Sequence, residues 1–213
     1  MTRQKRPQVR QDEILLASAS PRRRELLRQI GVPFRVVEHT IDEIVWDQEL
    51  PQTLAQRLAL EKACSVLEQH SDGADALVLG ADTVVVCGNL ILGKPENRED
   101  ALRMLKLLSG RRHLVHSAVA LASQERQQVV LSTTEVEFRP LESDELEAYW
   151  RSGEPRDKAG AYAVQGLAAV FVSSLRGSYS GVMGLPLFET AQLLNSFGFT
   201  CWQTPPTQSA GAQ

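Results

Sequence analysis

The run Ala76-Leu-Val-Leu-Gly-Ala-Asp-Thr-Val-Val-Val most constrains the fold of this chain, because it is apolar on both faces apart from one neighbouring pair, Asp82 and Thr83. A strand that is apolar on both faces has to be covered on both sides, so we expect it to lie in the middle of a sheet. Along the rest of the chain, strand-like and helix-like segments alternate, which is typical of helices packed on a mainly buried sheet. The sequence therefore predicts an α/β fold.

The other elements are predicted from hydrophobic periodicity and from the residues that begin and end helices. Strands are expected at Ile14–Ala17, Phe34–Val37, Leu90–Leu92, His113–Ala122, Val129–Phe138 and Ala168–Ser173. Helices are expected from Pro21 to Gly31, Pro51 to Gln69, Asn97 to Ser109, Ser143 to Gly153 and Leu187 to Phe197, with Ser20 and Ser143 as N-caps. We see no internal repeat or interdomain linker, so residues 14–200 are predicted to form a single domain between two disordered tails, 1–13 and 204–213.

Charge and cysteine content exclude several classes of protein. The net charge is −3, from 23 Lys and Arg against 26 Asp and Glu, whereas a general nucleic-acid binder carries a basic excess or stripe. The three cysteines, Cys64, Cys87 and Cys201, are far apart and lack metal-ligand spacing, which indicates neither a disulfide framework nor a zinc site and favours a cytoplasmic location. No window approaches the ~20 continuous apolar residues of a membrane span, so no membrane partner is expected.

The stretch Ser18-Ala-Ser-Pro-Arg-Arg lies where the first apolar run meets an amphipathic helix. A helix N-terminus has unpaired backbone N–H groups and carries about half a positive charge, so anions favour it. Arg22 and Arg23 in the first turn oppose this dipole unless an anion lies between them and the helix end. One interpretation is therefore a binding site for a phosphate chain, and the alternative is a solvated basic first turn.

Asp82 is the second strong signal, because a carboxylate buried in an apolar run without a partner would cost several kcal/mol. It could be hydrogen-bonded to nearby backbone at a bulge. Alternatively, it could lie at a strand end and either bind a divalent metal or accept a proton from water. Both of these latter roles suit the hydrolysis of phosphate esters.

Three further residues are candidates for the same chemistry. The segment Gly88-Asn-Leu-Ile-Leu-Gly-Lys matches the start of a Walker A loop, but Pro95 follows it where Ser or Thr is required, so we reject that motif. Lys94 could still contact a phosphate as a point charge. Lys62 is either a solvated helical lysine or a second such contact. Gln165 has an amide that suits the edge of uracil or thymine, although a glutamine that caps a turn is an equal alternative.

Six segments in order resemble the Maf family of nucleoside triphosphate pyrophosphatases, from about Ile14 to Phe199. They are Ser18-Ala-Ser-Pro-Arg-Arg-Arg-Glu-Leu-Leu, Glu61-Lys-Ala, Gly80-Ala-Asp-Thr-Val-Val, Gly93-Lys-Pro, Leu108-Ser-Gly-Arg and Gly153-Glu-Pro-Arg-Asp-Lys-Ala-Gly-Ala-Tyr-Ala-Val-Gln-Gly. The resemblance implies an elongated mixed β-sheet flanked by helices, with a deep active-site cleft, as in the inosine triphosphate pyrophosphatases. It also implies hydrolysis of a nucleoside triphosphate to the monophosphate and pyrophosphate with magnesium or manganese, and it makes a homodimer an expectation.

The resemblance also assigns roles to residues. Asp82 would be the proton acceptor, and the phosphate site would be lined by Ser18, Arg22, Arg23, Lys62 and Lys94. Asp82 and Glu43 would form a metal pair. Base preference would depend on Arg22, Thr83 and Gln165.

The segment Ala161-Tyr-Ala-Val-Gln-Gly resembles the branch of this family that acts on dTTP and UTP. Two alternatives remain open at this point. One is the branch that acts on 7-methyl-GTP, and the other is a non-catalytic nucleotide-binding regulator of septum formation.

Overall fold

A computed structural model describes residues 13–38, 40–70 and 76–202 of the chain. Its centre is a mixed sheet of seven strands: β1 (Ile14–Ala17), β2 (Phe34–Val36), β3 (Val78–Cys87), β4 (Leu90–Leu92), β5 (Arg112–Ala122), β6 (Gln127–Phe138) and β7 (Val172–Arg176). The strands follow the order β2-β1-β3-β5-β6-β7, and β4 also pairs with β3. The apolar run that contains Asp82 is therefore a central strand, and the prediction of a mixed sheet is confirmed.

Within the described residues, six α-helices cover this sheet: α1 (Pro21–Gln29), α2 (Pro51–Gln69), α3 (Arg98–Leu108), α4 (Ser143–Arg151), α5 (Tyr179–Met183) and α6 (Leu187–Ser196). Proline occupies the first turn of both α1 and α2, where its missing N–H has no helical partner to lose. In α3 the side chain of Asn97 accepts a hydrogen bond from the backbone N–H of Asp100, as its capping position predicts. In the part of the chain that is described, no helix is both long and apolar enough to cross a membrane.

One edge of β3 is shared by two strands that run in opposite directions. The parallel strand β1 pairs with Val78 to Gly80, and the antiparallel strand β4 pairs with Val85 to Cys87. On the other edge, β5 pairs with β3 without interruption from Val78 to Val86. The residues from 81 to 84 therefore lie at a gap between β1 and β4, and the Asp82–Thr83 pair lies in that gap.

Gly80 allows α2 to lie unusually close to β3. A Cβ at this position would be 2.2 Å from the carbonyl oxygen of Ala59 and 2.8 Å from the backbone nitrogen of Ala63, and both of these atoms belong to the α2 backbone. Real Cβ atoms do not approach backbone that closely, so glycine is required here by packing and not by its φ angle. This contact brings Lys62, which precedes Ala63 on α2, within reach of Asp82 on β3.

Two local predictions are wrong. The predicted strand Ala168–Ser173 is a 3₁₀ helix over Leu167–Phe171, and β7 begins only at Val172. The buried residues of this helix, Ala168 and Phe171, are three positions apart, which is the 3₁₀ repeat. Ser143 is the first residue of α4 and not its cap, because the side chain of Glu142 forms a capping box with Glu145.

Ser20 does lie at the N-cap position of α1, but its side chain makes no capping hydrogen bond. The single domain of residues 14–200 stays a prediction. The two predicted tails fall, apart from Glu13, outside the described residues.

Candidate active site

A cleft of about 690 Å³ opens at the gap between β1 and β4, a volume in the range of small-molecule sites. Its walls come from the segment after β1, the start of α1, the loop before α2, the middle of β3 and the segments 157–165 and 182–184. All nine residues that the sequence places in the site line this one cleft: Ser18, Arg22, Arg23, Glu43, Lys62, Asp82, Thr83, Lys94 and Gln165. The structure therefore brings together residues that are up to 147 positions apart in the chain (165 − 18).

Lys62 links the two acidic residues of the cleft. Its Nζ lies 2.7 Å from Oδ1 of Asp82 and 2.5 Å from Oε1 of Glu43. Lys62 and Asp82 are buried, with 4% and 8% of their surface exposed, whereas Glu43 is on the loop at the mouth of the cleft. The alternative of a solvated Lys62 is wrong, because the residue is buried and paired with Asp82. The alternative of an Asp82 held by backbone at a bulge is also wrong, because β3 continues its pairing with β5 through Asp82 and the carboxylate binds Lys62.

The charge of Lys62 also governs the ionisation of Glu43. Burial by itself raises the pKa of Glu43, but the hydrogen bond from Lys62 and its positive charge outweigh this effect and hold the pKa below its ordinary value. Lys94 and Arg23 lower the pKa of Glu43 further through their charges. Glu43 is therefore a carboxylate at neutral pH, and it faces a cluster of cations.

Ser18, Arg22 and Arg23 form the end of the cleft at the N-terminus of α1. Arg23 donates from Nη1 to Oγ of Ser18 at 3.1 Å and from Nε to the carbonyl oxygen of Gly184 at 2.8 Å. Arg22 donates from Nε to the carbonyl oxygen of Met183 at 3.2 Å. The last residue of α5 and the glycine that follows it thus hold both guanidinium groups.

Burial lowers the pKa of Arg23, and the negative charge of Asp82 acts in the opposite direction, while the neighbouring charge of Arg22 lowers this pKa further. The two arginines therefore repel each other, as their position in one helical turn predicts. An anion between them would relieve this repulsion and would also accept from the free N–H groups of α1.

Two more charged residues complete this end of the cleft. Lys94 is exposed just after β4, at the rim. Lys158 lines the cleft with 13% of its side chain exposed, and its Nζ donates to Asp157. Lys158 belongs to the segment Gly153 to Gly166 that carries the family resemblance, but it was not assigned to the site from the sequence. Its signal was the scarcity of lysine in the chain, which has five.

Thr83, Tyr162 and Gln165 are uncharged residues of the cleft lining, and we refer to them together as its neutral end. Thr83 is on the face of β3 opposite Asp82, and its Oγ1 lies 3.5 Å from Oγ of Ser117. Tyr162 is buried in the wall, and its hydroxyl lies 2.9 Å from Nε2 of His113. Gln165 is exposed in the turn that follows Tyr162. This end presents hydroxyl, aromatic and amide groups, which can hydrogen-bond and pack against a base.

The acidic groups of the cleft fit a hard divalent cation. Within the described ranges, no group of three or more His, Cys, Asp or Glu residues could hold a metal ion by itself. Magnesium, however, commonly binds one or two carboxylates together with substrate phosphates and water. Asp82 and Glu43, which converge on Lys62, supply two such carboxylates, so the remaining ligands would come from a phosphate-bearing substrate and from water.

Comparison with known proteins assigns the chain to a family. Residues 13–197 match the family described as Maf-like protein. A dTTP/UTP pyrophosphatase of Pseudoalteromonas atlantica is 51% identical over 183 residues, which is 85% of this chain and 95% of that protein. A dTTP/UTP pyrophosphatase of Alkalilimnicola ehrlichii is 53% identical over 187 residues, which is 86% of this chain and 92% of that protein.

Among solved structures, a nucleoside-triphosphatase, or dITP/XTP pyrophosphatase, from Mycobacterium abscessus aligns with 87% of this chain and 95% of its own. It has 16% identity and a TM-score of 0.36. This likeness is too low to compare the two active sites. The match over residues 13–197 and the two relatives of about half identity carry the assignment, and the chain belongs to the Maf-like protein family.

Proposed function

We propose that this chain hydrolyses dTTP and UTP to the nucleoside monophosphate and pyrophosphate. The relatives that carry this activity in their names are about 50% identical to the chain over most of its length. The cleft has the two ends that such a reaction requires, one rich in cations and one neutral. The observation that carries the proposal is the buried pair of Lys62 and Asp82 in this cleft.

In this proposal the triphosphate lies across the start of α1. Arg22, Arg23 and Lys94 neutralise its negative charge, and the free backbone N–H groups of the first helical turn donate hydrogen bonds to phosphate oxygens. Ser18 holds Arg23 in place through its hydroxyl oxygen. Lys158 adds a further cation beside Arg22, since both contact Asp157.

Asp82 is the proton acceptor. Lys62 holds Oδ1, and we assign the incoming proton to the second oxygen, Oδ2. A water oxygen attacks the α-phosphorus in line, one of its protons passes to Asp82, and the bond between the α-phosphorus and the bridging oxygen to the β-phosphate breaks. Pyrophosphate leaves with that oxygen, and the surrounding cations stabilise the charge that it gains.

Asp82 and Glu43 would hold magnesium or manganese together with substrate phosphates, and the bound ion would neutralise phosphate oxygens. Lys62 then has a positioning role as well as an electrostatic one. Because it contacts both carboxylates, it keeps them at a common point in the cleft. It also lowers the pKa of Glu43, which keeps that group ionised and able to bind a cation.

Base preference belongs to the neutral end of the cleft. The Gln165 amide has an NH₂ group that donates and a carbonyl oxygen that accepts, which match the carbonyl and imide edge that uracil and thymine share. Thr83 offers a hydroxyl from β3, and Arg22 would act where the base end meets the phosphates. Cytosine carries an amino group and an unprotonated ring nitrogen on that edge. The same orientation of the amide would place donor against donor and acceptor against acceptor.

Asp82→Asn tests the catalytic assignment, because it keeps the shape of the side chain and removes its charge and basicity. We expect pyrophosphate release from dTTP to fall at least about 100-fold, the lower end of the range for loss of a general base. Asp144→Asn, at an exposed position in the first turn of α4, is the matched control and should retain the parent rate. Equal rates for Asp82→Asn and the parent would remove Asp82 from the mechanism.

A panel of nucleotides tests the function itself. The purified chain is incubated with dTTP, UTP, CTP, 7-methyl-GTP and other canonical triphosphates, with magnesium or manganese, and both products are measured. We expect dTTP and UTP to be the best substrates. A preference for 7-methyl-GTP would place the chain in the other branch of the family, and binding without turnover would favour the regulator of septum formation.

A further inference from the structure

The carboxylate of Glu154 lies behind the turn that carries Gln165 and binds that turn on its C-terminal side. Oε2 accepts a hydrogen bond from the backbone N–H of Leu167 at 3.1 Å, and Oε1 accepts a longer one from the N–H of Ala168 at 3.4 Å. These two N–H groups begin the 3₁₀ helix Leu167–Phe171, where backbone donors lack helical partners. Glu154 therefore caps this helix from a distant position in the chain.

Tyr149 binds the same turn on its N-terminal side. Its hydroxyl donates to Oε1 of Glu154 at 2.8 Å, and the hydroxyl oxygen accepts from the backbone N–H of Ala163 at 3.1 Å. Burial and the hydrogen bond to Glu154 raise the pKa of Tyr149, so the hydroxyl stays protonated and remains a donor. The ring is buried and packs edge-on against Phe171, with 5.2 Å between the ring centroids. Gln165 thus lies between two points at which the backbone is held, the N–H of Ala163 and the N–H groups of Leu167 and Ala168. The carboxylate of Glu154 holds the second point directly and the first through the Tyr149 hydroxyl.

Gly166 shows how closely Glu154 approaches this turn. A Cβ at Gly166 would be 2.1 Å from Oε2 and 2.6 Å from Oε1 of Glu154. The φ angle of Gly166 is −108°, which any residue can adopt, so a side chain here would act by displacing the carboxylate and not by straining the backbone. The residue that follows Gln165 is therefore in direct van der Waals contact with the group that holds the turn.

A carboxylate suits this position better than an amide does. Glu154 faces three donors, namely the Tyr149 hydroxyl and the N–H groups of Leu167 and Ala168, and an ionised carboxylate only accepts. A glutamine would supply one accepting oxygen and would turn an NH₂ group towards at least one of these donors. The contacts on at least one side of the turn would then be lost.

We infer that Glu154 and Tyr149 are positioning residues for base selection, which fix the turn 163–168 so that the Gln165 amide meets the base in one orientation. This inference rests on the proposed function, because it assigns the reading of the base to Gln165. Neither residue is among those that line the cleft, so both act through the turn. They form a support for specificity that is separate from the cations of the phosphate site.

Three variants test the inference: Tyr149→Phe, Glu154→Gln and, as the benchmark for a lost base contact, Gln165→Leu. The values of kcat/KM for UTP and CTP are measured for each. We expect the ratio of UTP to CTP to fall about tenfold in Gln165→Leu and about fivefold in Tyr149→Phe, in line with the loss of one to two hydrogen bonds. The fall of this ratio in Glu154→Gln should lie between these two values. The phosphate site is intact in all three, so activity on CTP should change less than activity on UTP.

Hydrogen exchange provides a readout that does not depend on turnover. The amides of Ala163, Leu167 and Ala168 should exchange faster in Tyr149→Phe and Glu154→Gln than in the parent. Glu142→Gln is the matched control, because Glu142 also caps backbone donors but at the other end of α4. It should leave both the nucleotide ratio and these three amides as they are in the parent.

An equal loss of activity on UTP and CTP in Tyr149→Phe, or an unchanged ratio, would overturn the inference. Glu154→Gln could fail to fold, and in that event Tyr149→Phe decides the question, since it removes one oxygen atom only. Failure of the proposed function has a different signature: the parent itself would release no pyrophosphate from UTP. Dissociation constants for the α,β-methylene analogues of UTP and CTP would then decide the inference, which is overturned if their ratio is the same in the parent and in Tyr149→Phe.

Discussion

The two ends of the cleft are built in different ways. At the phosphate end, charged side chains are in direct contact with one another: Lys62 of α2 and Asp82 of β3 are buried, and Glu43 joins them from the loop before α2. At the base end, the polar groups are neutral, and Gln165 lies on a turn between short 3₁₀ helices. A carboxylate supports this turn, but it lies outside the cleft and binds backbone.

This comparison indicates that binding a charged phosphate chain and selecting a base require different kinds of structure. Buried charges need fixed partners, because an uncompensated charge is costly, and rigid elements hold such partners in place. A base reader needs one orientation of an uncharged amide, which a turn can supply if its backbone is held. Changes to the phosphate end should therefore affect all nucleotides, whereas changes to the base end should affect their ranking.

Lys62→Met is expected to have the largest effect in this comparison. It leaves Asp82 and Glu43 beside each other without the cation that pairs them, and it raises the pKa of Glu43 by removing the main cause that lowers it. Activity on every triphosphate should fall at least about 100-fold, because breaking a buried ion pair is strongly unfavourable. Steady-state kinetics with dTTP and CTP measure this loss.

Lys106→Met, at an exposed position in α3, is the control for loss of a lysine. It should keep the parent rates. If Lys62→Met changed the ranking of dTTP and CTP while it kept the rate on the better substrate, the separation between the two ends would be wrong.

His113 provides a test at the base end through the dependence of stability on pH. Burial lowers the pKa of His113 to about 4 from its ordinary 6.5, so the ring is neutral in the folded chain at pH 5 and protonated in the unfolded chain. The unfolded state then binds more protons between these two values, and the free energy of unfolding falls as the pH falls through them. Between pH 7 and pH 5 the loss should be about 2 kcal/mol.

Urea unfolding at the two pH values measures this loss in the parent and in His113→Gln. The variant cannot bind that proton, so its free energy of unfolding should fall by about 2 kcal/mol less than that of the parent over the same range. The result would sharpen the comparison, since it would show that the wall behind Tyr162 excludes charge. Equal losses in the two proteins would mean that His113 does not carry the effect.

The sequence predicted most of the fold because many of its signals are local. Pro51 and the helical spacing of apolar residues set both ends of α2, and Gly88-Asn89 set the hairpin between β3 and β4. The prediction was wrong where a distant residue decides the local structure. The run after Gly166 is apolar enough for a strand, but its first N–H groups bind Glu154, and it forms a 3₁₀ helix.

The sequence predicted which residues form the site but not how they contact one another. Motif resemblance named the residues that line the cleft, but nothing in the chain indicated that Lys62 would join Glu43 to Asp82. That contact depends on the close packing of α2 on Gly80, which is a tertiary effect. Glu154 was part of a motif without an assigned role. Two of its three partners are backbone N–H groups, which a pattern of side chains does not reveal.

The smallest predicted effect on activity concerns Arg57, which contacts the loop that carries Glu43. Its guanidinium donates to both carboxylate oxygens of Glu49 at 2.7 Å and to the carbonyl oxygen of Ile44 at 2.8 Å, and it lies 3.9 Å from the ring centroid of Trp46. One side chain of α2 thus holds the loop on both sides of Trp46. The carbonyl that it binds belongs to the residue next to Glu43.

Arg57→Gln should release this loop and so weaken the placement of Glu43 without removing any group that touches the nucleotide. We expect kcat/KM to fall about tenfold on dTTP and CTP alike, as is common when a residue that orients a ligand-binding group is lost. Trp46 should become more accessible to a fluorescence quencher. Arg98→Gln is the control, because Arg98 also pairs with a glutamate, Glu147, but on the surface. It should change neither kcat/KM nor the accessibility of Trp46. A change in the dTTP to CTP ratio would mean that this loop also reads the base, and the division of the cleft into two ends would then have to include it.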